Sequence, residues 1–322
     1  MKCNRSTSNV TTVIKLLLLA VCLTPMKNLN AGSDTAITYK TIRIDGVDIF
    51  YREAGAANAP VLLLLHGVPT SSRMYQPMLG SVLNTKYRLI APDYPGFGHS
   101  SWPDPKNFAY TFDHIAQIMQ DFADQLELTH YTLLLHDYGG PIGMRMAMGH
   151  PDKVQALIIQ NAVSHEEGLS PIWASRKEFW RDRAGRETAM RKGFLSLEST
   201  RNRHLGSSSH PEKIDPDTWV DEYYFLNQPG QGDIQMDLFF DYQTNLKAYP
   251  SWQKWLRDHQ PPLLVLWGKF DPSFTVAGAQ AYQKDVPSAK VHLLEAGHFA
   301  LDEKPDEIIS LTDAFMSQQT KR

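Results

Sequence analysis

The sequence predicts an α/β fold: a mostly parallel central sheet, helices on both of its faces, and a helical insertion before the last strands. Three observations lead there. Short continuous apolar runs recur along the chain, as expected of strands covered on both faces. They alternate with segments of helical spacing, which is the signature of repeated strand–helix units. That alternation lapses between residues 163 and 250 and then resumes.

The start of the chain stands apart from this pattern. Lys2, Arg5 and Lys15 supply positive charge, and Leu16–Thr24 is an apolar run too short to span a bilayer. Residues 1–31 are therefore read as a secretory signal peptide, cleaved after Ala31. The expected location is secreted or periplasmic, with no stable membrane insertion once the signal is removed. Both cysteines, Cys3 and Cys22, lie in this segment. The mature chain would have no disulfide, no thiolate nucleophile and no cysteine metal site, and no cofactor is expected. A formal net charge of -3 gives no footprint for nucleic acid.

The remaining elements follow in order. Asp45-Gly46 between alternating apolar runs is a hairpin signal. Val61–Leu65 reads as a strand and opens into His66-Gly67-Val68-Pro69-Thr70-Ser71-Ser72. Tyr87–Ala91 reads as a strand and leads into Pro92-Asp93-Tyr94-Pro95-Gly96-Phe97-Gly98-His99-Ser100, a loop punctuated by glycine and proline. Phe112–Leu126 has helical spacing. The apolar run from Tyr131 to Leu135 and Val154–Ile159 read as strands. Residues 163–250, rich in Trp, Tyr, Phe and Arg, read as a helical cap over a core made of residues 32–162 and 251–322. Strands near Leu263–Trp267 and Val291–Leu294 and helices near residues 277–284 and 306–316 complete that core.

In a parallel sheet the site lies at the carboxyl ends of the strands. The strand ending at His136 runs into Asp137-Tyr138-Gly139-Gly140 and then a helix, the setting in which a strained turn lifts one side chain above the sheet. The bland alternative makes Asp137 a helix N-cap. Two later strand ends favour chemistry: Asp271 in Gly268-Lys269-Phe270-Asp271-Pro272 and His298 in Glu295-Ala296-Gly297-His298-Phe299. Together they give the order nucleophile, acid, histidine.

This order resembles the α/β-hydrolase superfamily, and the resemblance covers everything after the signal. The two loops quoted above and an elbow built on His136-Asp137-Tyr138-Gly139 resemble its haloalkane dehalogenase and epoxide hydrolase branch. The resemblance implies the α/β-hydrolase fold and an Asp nucleophile that forms an alkyl ester, hydrolysed by water that His298 activates. It also implies an oxyanion hole at the backbone N–H groups of Val68 and Tyr138. The implied partners are a small apolar organohalide or epoxide and water; oligomeric state is not legible.

Several positions depart from that branch. Dehalogenases commonly place a Trp after the nucleophile and an Asn in the His-Gly loop, where this chain has Tyr138 and Val68. Trp173 and Trp180 are candidate halide donors. Tyr242, with Tyr223 or Tyr224, is a candidate acid for epoxide opening. Asn161 stands where many dehalogenases carry the acid, so that role falls to Asp271. The charges from Arg176 to Lys192 read as a solvated helix face, and Asp233, Asp237 and Asp241 as an exposed stripe. His204 and His210 show no metal-ligand spacing. The haloalkane dehalogenase-like reading leads. An epoxide hydrolase is the alternative, with a carboxylesterase or a binding protein on a hydrolase scaffold behind it.

Overall fold

The computed structural model describes residues 35–208 and 210–319, together with Met1 and Lys2. Apart from those first two residues, the segment read as a signal peptide, both cysteines included, lies outside them. Eight strands form one sheet: β1 (Thr38–Ile44), β2 (Val47–Ala54), β3 (Val61–Leu65), β4 (Arg88–Pro92), β5 (Tyr131–His136), β6 (Val154–Gln160), β7 (Leu263–Gly268) and β8 (Lys290–Leu294). Their spatial order is β1-β2-β4-β3-β5-β6-β7-β8. The first two pairings, β1 with β2 and β2 with β4, are antiparallel, and all later ones are parallel.

The leucine runs explain the layering. Successive side chains of a strand face opposite sides. Leu63 and Leu65 therefore pack on one face with Leu133, Leu135, Ile159 and Trp267. Leu62 and Leu64 pack on the other with Leu134, Ile158, Leu264 and Leu266. Burying each such side chain contributes about 1.5–3 kcal/mol. The hairpin turn at Asp45 and Gly46 uses left-handed backbone at both residues, φ 45° and 81°, which matches the twist of the strands it joins.

The helices outside the sheet are α1 (Gln76–Leu79), α2 (Phe112–Gln125) and α3 (Gly139–Gly149), then α10 (Val276–Asp285), α11 (Ala300–Glu303) and α12 (Pro305–Gln319). Between β6 and β7 run α4 (Trp173–Arg181), α5 (Arg183–Phe194), α6 (Leu197–Leu205), α7 (Asp217–Leu226), α8 (Gln231–Asp241) and α9 (Gln243–His259). Helix α9 continues through Pro250. Among the described residues no helix is long and apolar enough to cross a membrane.

The charges of this insertion do not lie as the sequence suggested. Arg183 pairs with Glu187 at 2.7 Å and Asp237 at 2.6 Å, and Arg191 pairs with Glu187 and with Asp233 at 2.6 Å. Asp241 accepts the Phe112 N–H at 2.8 Å. The acidic residues one turn apart are thus partners that tie α8 to α5 and to the start of α2, and not a bare stripe. His204 on α6 sits between Glu222 of α7, at 2.9 Å, and Asp302 of α11, at 3.0 Å.

Candidate active site

The site begins at the point where β3 has β4 on one side and β5 on the other, the switch in strand order that opens a crevice in such sheets. Leu65 of β3 is in register with Leu135 of β5, so the residues that follow the two strands meet. A Cβ on Gly67 would run into the side chain of Asp137, and one on Gly139 would run into the Leu65 carbonyl. Those two positions need glycine because backbone and nucleophile candidate pass so closely. Asp137 itself adopts φ 48°, a left-handed conformation uncommon outside glycine. The turn is strained in the way an elbow requires.

Asp137 lies among donors. The Val68 N–H donates to Asp137 Oδ1 at 3.0 Å. His298 Nε2 stands 3.5 Å from Asp137 Oδ2, and His298 Nδ1 lies 2.7 Å from Asp271 Oδ2. With Nδ1–H donated to Asp271, Nε2 is the ring nitrogen that faces Asp137. Burial raises the Asp137 carboxyl above its ordinary value of 3.8. The His298 charge, the Val68 and Tyr138 N–H groups and Arg176 pull it back only in part. Burial alone would depress the His298 imidazole, but the charge and hydrogen bond of Asp271 outweigh it, and the net direction is up from 6.5.

Asp271 is fixed by more than its histidine. Its Oδ1 accepts the N–H groups of Ser273 and Phe274 at 2.7 and 3.0 Å. Asn161, at the end of β6, donates its amide to Asp271 Oδ2 at 2.8 Å and accepts the Gly268 N–H at 2.9 Å. The loop that carries Val68 is braced as well. His66 stacks on Tyr94 with centroids 4.0 Å apart, and the Tyr94 hydroxyl donates to the His66 carbonyl at 2.8 Å. Burial, partly offset by Asp93, pushes the His66 ring down to about 4, so it is neutral at pH 7. Asp93 accepts the N–H groups of Ser72 and His99 at 2.6 and 2.8 Å, joining the two loops.

A cavity of about 690 Å³ opens above this group. Val68, Asp137, Tyr138 and His298 form its floor, and Trp173, Arg176, Met190, Phe194, Arg203 and Phe239 are among its walls. Of the leaving-group candidates read from sequence, Trp173 lines the cavity, but its indole N–H donates to the Ser273 carbonyl at 3.0 Å. The Trp180 N–H donates to the Phe239 carbonyl at 2.8 Å, and neither Trp180 nor Tyr242 lines the cavity. Both indole donors are thus committed to backbone carbonyls. Tyr242 packs behind the floor, 5.8 Å from the Tyr138 ring, and Tyr224 is exposed. The Tyr138 hydroxyl is buried with no hydrogen-bond partner among the described residues.

Arg176 and Arg203 were not legible as site residues, because both sit in polar helical stretches. Asn161 was legible as a strand-end residue at the position where many dehalogenases carry the acid; its contacts with Asp271 were not, and its left-handed backbone, φ 44°, is one that Asn tolerates.

Comparison with known proteins agrees with the fold. Residues 60–305 match the alpha/beta hydrolase fold family. An uncharacterized hydrolase of Saccharomyces cerevisiae is 39% identical over 275 residues, covering 83% of this chain and 94% of that protein. Epoxide hydrolase 2 of Caenorhabditis elegans is 25% identical over 88% of this chain and 81% of its own length. The crystal structure of a haloalkane dehalogenase from Bradyrhizobium elkani superposes with a TM-score of 0.74 at 21% identity, covering 89% of this chain and all of that one.

Proposed function

The chain belongs to the alpha/beta hydrolase fold family, and from that premise we propose that it is a hydrolase of the haloalkane dehalogenase and epoxide hydrolase type with Asp137 as its nucleophile. The observation that carries the reading is the division of labour on the Asp137 carboxylate. One oxygen, Oδ1, accepts the Val68 N–H, and the other, Oδ2, faces His298.

Oδ2 attacks a saturated carbon of the substrate. The Oδ2–carbon bond forms as the carbon–halogen bond breaks, and the halide leaves with the bonding pair. No base is needed, because the nucleophile is already an anion. The carboxyl is now an ester whose carbonyl oxygen, Oδ1, lies at the Val68 N–H. His298 Nε2 takes a proton from water as the water oxygen attacks Cγ. Negative charge develops on Oδ1, which the Val68 N–H meets, on a carboxyl that the Tyr138 N–H also bonds; one such donor contributes about 2.7–4 kcal/mol in a comparable site. Collapse expels the alcohol, which takes its proton from His298. Asp271 and Asn161 act through the imidazole by fixing its orientation.

A second reading, epoxide opening, is favoured by the donor left over. The Tyr138 hydroxyl has no hydrogen-bond partner among the described residues, while the Trp173 and Trp180 indoles are engaged. Burial, and then the Asp137 charge, raise the Tyr138 phenol far above its ordinary value, so it stays protonated. Such a hydroxyl can hydrogen-bond a halide or protonate an alkoxide.

One experiment tests the shared chemistry and separates the readings. His298→Gln, mixed with 1-bromohexane or with 1,2-epoxyhexane, should accumulate an ester. The peptide containing Asp137 then gains a hexyl mass in the first case and a hydroxyhexyl mass in the second. A single wild-type turnover in oxygen-18 water should label the Asp137 carboxylate. Label confined to the product alcohol would mean direct attack by water and would sink the proposal.

A further inference from the structure

The helical insertion holds its arginines in two different ways. Arg183 and Arg191 each reach two carboxylates. Arg176 and Arg203, which line the cavity, have no carboxylate within ion-pair distance among the described residues. Arg176 donates Nη1 to the Ser273 hydroxyl at 3.1 Å and stacks over Trp173, 4.2 Å from the ring centroid. Arg203 donates Nη2 to the Phe194 carbonyl at 2.7 Å and stacks over Phe194 at 4.2 Å. Its Nη1 is buried with no hydrogen-bond partner among the described residues.

A guanidinium has five N–H donors in a fixed fork, and leaving part of that fork buried and unpaired is costly. Stacking on an aromatic face holds each fork in place, which favours a planar, bidentate acceptor over a flexible contact. The charge balance limits what that acceptor is. Arg176 and Arg203 lack the carboxylate that Arg186, on the same lining, has in Glu178, so an anionic acceptor suits them. The apolar part of the lining is made of Trp173, Met190, Phe194 and Phe239.

We propose that Arg176 and Arg203 form a carboxylate-binding subsite, and that the substrate is an amphipathic monocarboxylic acid whose reactive carbon lies at Asp137. The arginines take one end, the apolar walls take the chain, and the halogen- or epoxide-bearing carbon reaches the floor. The substrate assignment rests on the Asp137 nucleophile argued above; the anion subsite does not.

The test pairs binding with turnover. Calorimetry on the wild-type protein should find hexanoate bound at least tenfold more tightly than hexanamide. In Arg176→Met/Arg203→Met that preference should shrink to about twofold or less. In Arg176→Lys/Arg203→Lys, which keeps the charge but not the fork, it should be intermediate. In turnover, kcat/KM for 6-bromohexanoate or 5,6-epoxyhexanoate should exceed that for the matching amide by tenfold or more, with the difference in KM. Equal binding of hexanoate and hexanamide by the wild type would overturn the proposal. So would a preference that survives in a folded double-Met variant. Variants that lower kcat equally for acid and amide would also overturn it, since the arginines would then be serving the leaving group. If neither bromide nor epoxide turns over but hexanoate binding still depends on both arginines, the subsite stands and the chemistry proposed for Asp137 fails.

Discussion

Along β5 every residue from Tyr131 to His136 is buried, while along α5 only Phe194 is. The strand is held by apolar packing on both faces, and the helix largely by charges that reach α8. The difference separates two tasks. A packed strand has no freedom to drift, so it sets the position of Asp137 against Val68 and His298. A helix laced by ion pairs is set by side chains that can be exchanged without disturbing the sheet, and it lines the cavity above Asp137.

The contrast can be broken most directly by substitution in the sheet. Leu134→Ala removes a fully buried side chain from the core face that includes Leu64 and Phe315, and should lower unfolding free energy by about 2–5 kcal/mol. Urea denaturation measures it; a loss under about 1 kcal/mol would mean the sheet is not held as described.

An intermediate effect is expected where insertion and core are joined through His204. Burial alone would depress this imidazole, but the Glu222 charge and the hydrogen bonds to Asp302 and Glu222 push it up to about 10. Between pH 6.5 and that value the folded protein keeps a proton that the unfolded chain releases. The stabilisation is therefore complete below about pH 6.5, declines by about 1.4 kcal/mol per pH unit above it, and is gone once pH passes the folded value. Wild-type stability should thus fall more steeply over this range than that of His204→Gln. Parallel slopes would show that no such proton is held.

The smallest effect belongs to α5. Arg183→Ala breaks two partly exposed ion pairs and should cost about 1 kcal/mol or less, shrinking further at high salt. If it costs as much as Leu134→Ala, the insertion is anchored as firmly as the sheet and the comparison above fails.

The same contrast explains what could be read from sequence. Val61–Leu65 and the run from Tyr131 to Leu135 were legible because a buried parallel strand has to be largely apolar. Asp137, Asp271 and His298 were legible as site candidates because strand ends are marked by where those runs stop. Arg176 was assigned to a solvated face because a polar helix carries no periodic signal of which side meets a cavity; only its stacking on Trp173 and its contact with Ser273 decide that. The indoles of Trp173 and Trp180 looked like free donors for a related reason. Which backbone carbonyl receives an N–H is settled by tertiary packing and leaves no mark on residue type.

Asp137 and Asn161 end neighbouring strands with nearly the same left-handed backbone, φ 48° and 44°. Asn161 differs from aspartate by one group, and its amide already touches the carboxylate that faces His298. This leaves evolution a short route for relocating the acid role proposed for Asp271. Asn161→Asp comes first, at the expense of two like charges beside one imidazole, and Asp271 is then free to drift. Neither step asks the chain for a new turn. Descendants of this scaffold can differ in which strand supplies the acid while sharing one ancestral geometry, so alignment by residue type would misplace a kinship that alignment by strand end would keep.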